Sequence, residues 1–127
     1  MPHTNRTSAP IVVDIPALEG RYVDLNGYTV GFETYRADAD PAELFRGLPD
    51  DRCQCPHWGV VLSGSVSFRF ADHTETYAAG DAYYAPAGHT PVMTVGTEVV
   101  EFSPTEAFNA TMTVVGANLA AAAGAST

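Results

Sequence analysis

Turn-forming residues punctuate this sequence roughly every eight to twelve positions, and between them apolar side chains alternate with polar ones. That rhythm belongs to an all-β sandwich or barrel, because alternate residues of a strand share one face. Asn26-Gly27 is a hairpin signal inside "YVDLNGYTVGFETY", where Tyr28, Val30 and Phe32 alternate with Thr29, Gly31 and Glu33. In "SVSFRF", Val66, Phe68 and Phe70 are expected to point inward and Ser67 and Arg69 outward. "ADHT" turns that strand back into "ETYAAGDAYYAP"; after the turn "PAGH", the runs "TPVMTV" and "EVVEFS" continue the pattern, separated by Gly96.

Two segments depart from this rhythm. Asp40 as N-cap, Pro41 at the first helical position, Gly47 at the end and Pro49 beyond predict a short helix. Ser103 as N-cap, Pro104 first and Glu106 third predict a second one. Its Phe108, Met112 and Val115 fall at i, i+4 and i+7, a stripe suited to covering a sheet.

The chain has 127 residues, enough for one domain with its own core, and residues 1–127 are expected to form it, with 1–10 and 119–127 flexible. Its net charge is -9, with only six Lys and Arg, so it lacks the basic face that nucleic acid or an anionic membrane requires. No apolar run approaches the roughly 20 residues of a membrane span. "MPHTNRTSAP" has no apolar segment of the signal-peptide kind, so a cytoplasmic, reducing location is expected, with the two cysteines as free thiols.

Those cysteines lie in "CQCPHWGVVLSG", where Cys53, Cys55 and His57 occupy alternate positions leading into an apolar run. On a strand these three metal-capable groups share a face.

Taken together, "VVLSG", the hairpin through "FRFADHTETY" and "AAGDAYYAPAGH" resemble the double motif of the cupins. Gly80, Pro86 and Gly88 fit the spacing of the second motif, G-x5-P-x-G-x2-H, and the wider stretch is similar to small single-domain cupins of actinobacteria. The resemblance covers residues 28 to 106 and implies an all-β fold: a cupin-type antiparallel β-barrel (jelly roll), with a short helix before the first motif and a C-terminal helix. It also implies pairing into a homodimer, for which "PIVVDIP" offers a strand to a partner's sheet edge. The family's ligand pattern is not copied. His57 stands where the first motif has Glu, the paired His positions fall on Asp51 and Cys53 (or Asp50 and Arg52), and the second-motif His position is Pro91, with His89 two residues earlier.

Soft thiolates and imidazoles suit zinc first, with copper or iron as alternatives. Cα atoms two residues apart on a straight strand are about 6.6 Å apart, and four residues apart about 13 Å. A Cys reaches roughly 3.5 Å from Cα to a metal and a His roughly 6 Å. The expected ligands are therefore His57, His89 and Cys55, with Cys53 joining if Pro56 kinks the strand. Three ligands would leave a catalytic opening, and four would close a structural site. The alternative is a metal-free polar pocket, since free cysteines commonly just pack.

Other candidates surround this group. Glu101 would be a general base or further ligand if it faces inward, or a solvated residue if outward, and Glu33 raises the same question. Of the adjacent Tyr83 and Tyr84 one should face in, and an inward Tyr83 could donate a proton. Trp58, of opposite parity to His57, is expected under a helix or at a subunit contact; Met93 shares parity with His89; His73 should face solvent and His3 lies in the tail. Nucleophile-elbow and phosphate-loop motifs are absent. Two functions remain open: a metal-dependent enzyme, an oxygenase or isomerase acting on a small organic molecule, or a non-catalytic sensor or carrier of a small ligand whose metal is structural.

Overall fold

The computed structural model describes residues 2–125. Nine strands follow in the order β1 (Ile11–Ile15), β2 (Leu18–Leu25), β3 (Tyr28–Tyr35), β4 (His57–Ser63), β5 (Ser65–Arg69), β6 (Thr74–Ala78), β7 (Ala82–Ala85), β8 (Thr90–Val92) and β9 (Glu98–Pro104). Helix α1 (Thr105–Ala125) follows without a loop. The strands form a six-stranded sheet, β1-β2-β3-β9-β4-β7, facing a three-stranded one, β6-β5-β8. Every ladder is antiparallel, and no ladder joins the two sheets, so the jelly roll is an open sandwich and not a closed barrel. Among the described residues no helix is long and apolar enough to cross a membrane.

The predicted hairpin forms: Asn26 and Gly27 both have positive φ, 54° and 91°, as the two central residues of a type I′ turn require. Its tip anchors the helix, since the Thr105 N–H donates to the Gly27 carbonyl at 3.0 Å. The core lies between the sheets, where Tyr35, Val61, Val66, Phe68, Ala85, Met93 and Val99 are buried together. Val66 and Phe68 point inward as expected, and Phe108, Met112 and Leu119 of α1 pack against the same core.

Two local expectations give way. The segment after Asp40 forms two 3₁₀ turns, Ala42–Phe45 and Pro49–Asp51, and no α-helix, because Gly47 and Pro49 stop it before a second turn. Asp40 still accepts from the Ala42 N–H at 3.1 Å. Ser103 remains inside β9, its hydroxyl engaged by His57, and the helix begins two residues later. The C-terminal tail continues as helix through Ala125, held where Leu119 meets the core and where Asn118 donates to the Leu44 and Arg46 carbonyls; residues 126 and 127 lie outside the described residues.

Candidate metal centre

Directly opposed residues of a ladder share a face, so one inward row can be traced across five strands. Tyr22, Gly31, Glu101, Gly59 and Tyr83 are successive partners on β2, β3, β9, β4 and β7. The glycines make this row possible. A Cβ at Gly59 would stand 2.5 Å from Tyr83 Cζ, and one at Gly31 would stand 2.8 Å from the Tyr22 ring. Each phenol can thus lie across bare backbone and reach a carboxylate. Tyr83 donates to Glu101 Oε2 at 2.5 Å, and Tyr22 donates to Glu33 Oε2 at 2.5 Å.

Above this row sits His57, the first residue of β4, with Nδ1 2.7 Å from Ser103 Oγ. Cys53 precedes β4 in an extended segment strapped to the Pro-Ala-Gly turn: its N–H donates to the His89 carbonyl and its carbonyl accepts from Gly88, both at 2.8 Å. This pairing brings His89 to the site from the far side of the turn, and the two imidazole centroids are 5.0 Å apart. The chain bends between residues 53 and 57, so Cys53 Sγ lies 3.7 Å from His57 Nε2.

Cys53, His57 and His89 each offer one ligand atom, and all three atoms lie within 4.8 Å of one another. In a tetrahedral zinc site, bond lengths of about 2.3 Å to sulfur and 2.1 Å to nitrogen give a sulfur–nitrogen edge of roughly 3.5 Å. The Cys53–His57 pair nearly has that edge already, and the remaining closure is within small side-chain adjustment. The tautomers fit as well. His89 Nδ1 donates to the Pro86 carbonyl at 2.7 Å, leaving the Nε2 lone pair free, and a His57 Nδ1–H donating to Ser103 does the same. The donor set therefore suits a transition metal.

The expected shell placed Cys55 ahead of Cys53, whereas the described group contains Cys53 and not Cys55. The strand begins only at His57, so the straight-strand spacing does not apply to the residues before it. Cys55 is buried, with its thiol directed to the Pro56 carbonyl at 3.5 Å. Sequence reasoning also missed Ser103 as the partner of His57, and Thr111 of α1, whose hydroxyl lies 3.9 Å from Cys53 Sγ. Both depend on tertiary approach. Only the helical stripe hinted at Thr111, which sits one position before Met112.

Burial keeps these donors neutral. It raises the Cys53 thiol to about 11 and lowers His57 and His89 to about 4, His89 also through its neighbour His57. Withdrawal from water likewise raises Glu33 to about 8, helped by the charge of Glu101, and Glu101 to about 7. Glu101 faces the interior, 8% exposed, with Oε1 3.9 Å from His57 Nδ1. Tyr83 is buried and Tyr84 exposed. Met93 is in the core, His73 pairs with Asp72 at the surface, and Trp58 lies on the outer face of the larger sheet, not beneath a helix.

Cys53, His57, His89, Glu33 and Glu101 all open on one cavity of about 90 Å³ beneath α1. Phe68, Met93 and Tyr35 line it from the sheets, and Phe108, Thr111, Met112 and Val115 line it from the helix.

No protein-family model matches the sequence, and no curated protein matches it significantly. Solved structures do resemble it. An RmlC-like cupin from Shewanella frigidimarina matches with a TM-score of 0.53 at 14% identity, over 80% of this chain and 88% of that one. The polyketide cyclase RemF from Streptomyces resistomycificus matches with a TM-score of 0.55 at 19% identity, over 82% and 79%. The iron(II) form of HppE matches with a TM-score of 0.57 at 11% identity, over 81% of this chain and 60% of that one. The fold is thus that of the small cupins. The likeness is not narrowed to actinobacterial members.

Proposed function

We propose that the protein is a metal-binding cupin that holds a divalent ion on Cys53, His57 and His89 and takes a small organic molecule into the cavity beside it. The observation carrying this reading is the convergence of one thiol and two imidazoles, within 4.8 Å, with both His Nδ1 atoms already engaged. One thiolate and two imidazoles favour zinc over the harder manganese and magnesium. When bound, such an ion supplies Lewis acidity and lowers the pKa of an attached water.

The chain's own residues would do the rest. Ser103 and the Pro86 carbonyl orient the two rings, and Thr111 can donate to the thiolate. Glu101, bonded to Tyr83, stands close enough to His57 to hold or move a proton at the cavity floor. Cys55 lines the same cavity as a reserve thiol. Three ligands with an open fourth position favour an enzyme over a closed structural centre.

A homodimer fits a second surface. Tyr28, Trp58, Tyr84 and Phe102 are all more than two-fifths exposed on the outer face of the larger sheet. With Leu62 they present on the order of 450 Å² of apolar side chain, a large share of the roughly 800 Å² per partner that a stable interface needs.

The test is elemental analysis of native protein followed by cobalt(II) titration. Binding should give the intense visible bands of a tetrahedral site and a thiolate-to-cobalt charge-transfer band that disappears in Cys53→Ser. A protein that takes up no metal, or whose spectrum survives that change, refutes the centre.

A further inference from the structure

The cavity floor carries two carboxylates and no positive counterpart. Glu33 and Glu101 both line it, and no Lys or Arg does. Each carboxylate spends Oε2 on a phenol. Glu101, more than nine-tenths buried, leaves Oε1 without a hydrogen bond among the described residues, with His57 Nδ1 3.9 Å away. Glu33 Oε1 is likewise without a hydrogen-bond partner there. The phenol bonds draw both carboxyls down, against the larger effect of burial, which raises them. Two carboxylates withdrawn from water are costly unless a cation meets them. Every arginine lies elsewhere: Arg6 pairs with Glu98, Arg21 and Arg36 with Glu19, Arg69 with Asp40 and Arg46 with Glu43, and Arg52 does not line the cavity.

Apart from Thr111 and the side carrying the cysteines and histidines, the remaining walls are apolar and aromatic, with Tyr22, Tyr35, Phe45, Phe68 and Phe108 among them. Such walls accommodate an organic cation far better than a hydrated metal ion, because rings attract a cation while repelling its water. The volume, about 90 Å³, sets the scale at a handful of heavy atoms.

We propose that the ligand of this cavity is a compact organic ammonium ion, its charged nitrogen received by the free oxygens of Glu33 and Glu101 and its alkyl groups by the aromatic walls. This rests on the cavity being the ligand site of the function proposed above, but not on the metal being bound. Glu33, with Tyr22 holding it in place, is then a specificity-determining residue that favours amines over neutral or anionic molecules of equal shape.

Three probes of one shape decide it: tert-butylammonium, tert-butanol and pivalate, titrated by NMR and thermal shift into protein as purified and into protein stripped of metal. The cation should bind at least tenfold more tightly than the alcohol, pivalate should not bind, and the amides of Gly31 and Gly59 should shift. Glu33→Gln should lower cation affinity at least tenfold while metal uptake and circular dichroism stay unchanged. Equal binding of alcohol and cation, or no binding of any probe, overturns the proposal on the unmodified protein alone, whether or not the variant folds. Cation binding by a protein that never takes cobalt would sink the metal reading and keep this one; cobalt uptake without cation selectivity would do the reverse.

Discussion

The two faces of the larger sheet differ in an unusual way: beside the core residues Tyr35, Val61, Ala85 and Val99 the inner face buries a polar group, while the outer face exposes aromatic rings. Its inner face carries Glu33, Glu101, Tyr22, Tyr83, His57 and Ser103, whereas its outer face carries Tyr28, Trp58, Tyr84 and Phe102. A single-sided antiparallel sheet usually buries its apolar face and wets the polar one. Here the buried polar groups bond to each other, Tyr to Glu and Ser to His, and no fully buried side-chain nitrogen or oxygen among the described residues lacks a partner. The outer rings stack instead on one another, Trp58 on Tyr84 at 4.9 Å and beside Tyr28 at 6.3 Å. A buried polar network is expensive and an exposed aromatic face is a liability. On the function proposed above, the inside serves chemistry or recognition and the outside contact.

The largest effects should come from inside. Replacing both His57 and His89 with Ala should lower metal affinity by about 100-fold or more, since even groups that merely orient ligands are worth 10- to 100-fold. Equilibrium competition with a chelating dye measures this. Cys53→Ser should weaken binding by a similar order while Cys55→Ser leaves it within about threefold, which separates the two thiols that the sequence spacing alone could not rank.

Next in size is the glycine row. Gly59→Ala drives a methyl against the Tyr83 ring, whose hydroxyl is tied to Glu101, so the ring cannot retreat without breaking that bond. A loss of about 1–3 kcal/mol in denaturant unfolding is expected. An unchanged midpoint would mean that the phenol is not held as described.

The pH response distinguishes the two kinds of buried group. His57 and His89 have folded values near 4 against 6.5 unfolded, so the unfolded chain binds more protons between those limits and stability rises with pH there. Glu33 and Glu101 have folded values of about 8 and about 7 against 4.5 unfolded, so their contribution is full below 4.5 and is lost as pH rises through 7 to 8. The effects oppose each other between 4.5 and 6.5, leaving a net fall above 6.5 that belongs to the carboxyls. The melting temperature of metal-free protein should therefore decline from about pH 6.5 to 8, and Glu33→Gln should flatten the decline. A rise over that window would contradict the buried carboxyls.

The smallest effect on the fold should come from outside. Trp58→Ser should change monomer stability by about 0.5 kcal/mol or less, as for most surface substitutions, and leave metal affinity unaltered. Its readout is the mass in light scattering: if the unmodified protein is the homodimer proposed above, a halved mass supports the paired aromatic face and an unchanged mass places the contact elsewhere, for instance on the edge strand β1; a monomeric mass of the unmodified protein refutes the pairing.

Much of this was legible in the residues. Alternation placed Val66 and Phe68 inside, set Tyr83 against Tyr84 and put Trp58 on the opposite face from His57, because parity survives any arrangement of strands. The choice between Cys53 and Cys55 was not legible. It turns on the bend before β4, where Cys53 pairs with His89 and His57 with Ala85, partners far away in sequence. Glu101 could not be assigned a face for a similar reason: "VVEFS" offers Val100 and Phe102 as an equally apolar inner set, and the neighbours on β3 and β4 decided otherwise. Tyr22 was missed altogether, although Gly20 and Gly31 were its signature.

By itself the sequence determined the strand rhythm, the hairpin at Asn26-Gly27 and the acidic, cation-poor character of the chain, all of which follow from local conformational preference and composition. Tertiary structure alone decided which thiol joins the two imidazoles, which face of the larger sheet is wet, and that two carboxylates share one cavity. These are matters of long-range register, in which a shift of one residue reverses every side chain, and a single strand carries no record of the neighbour that sets it.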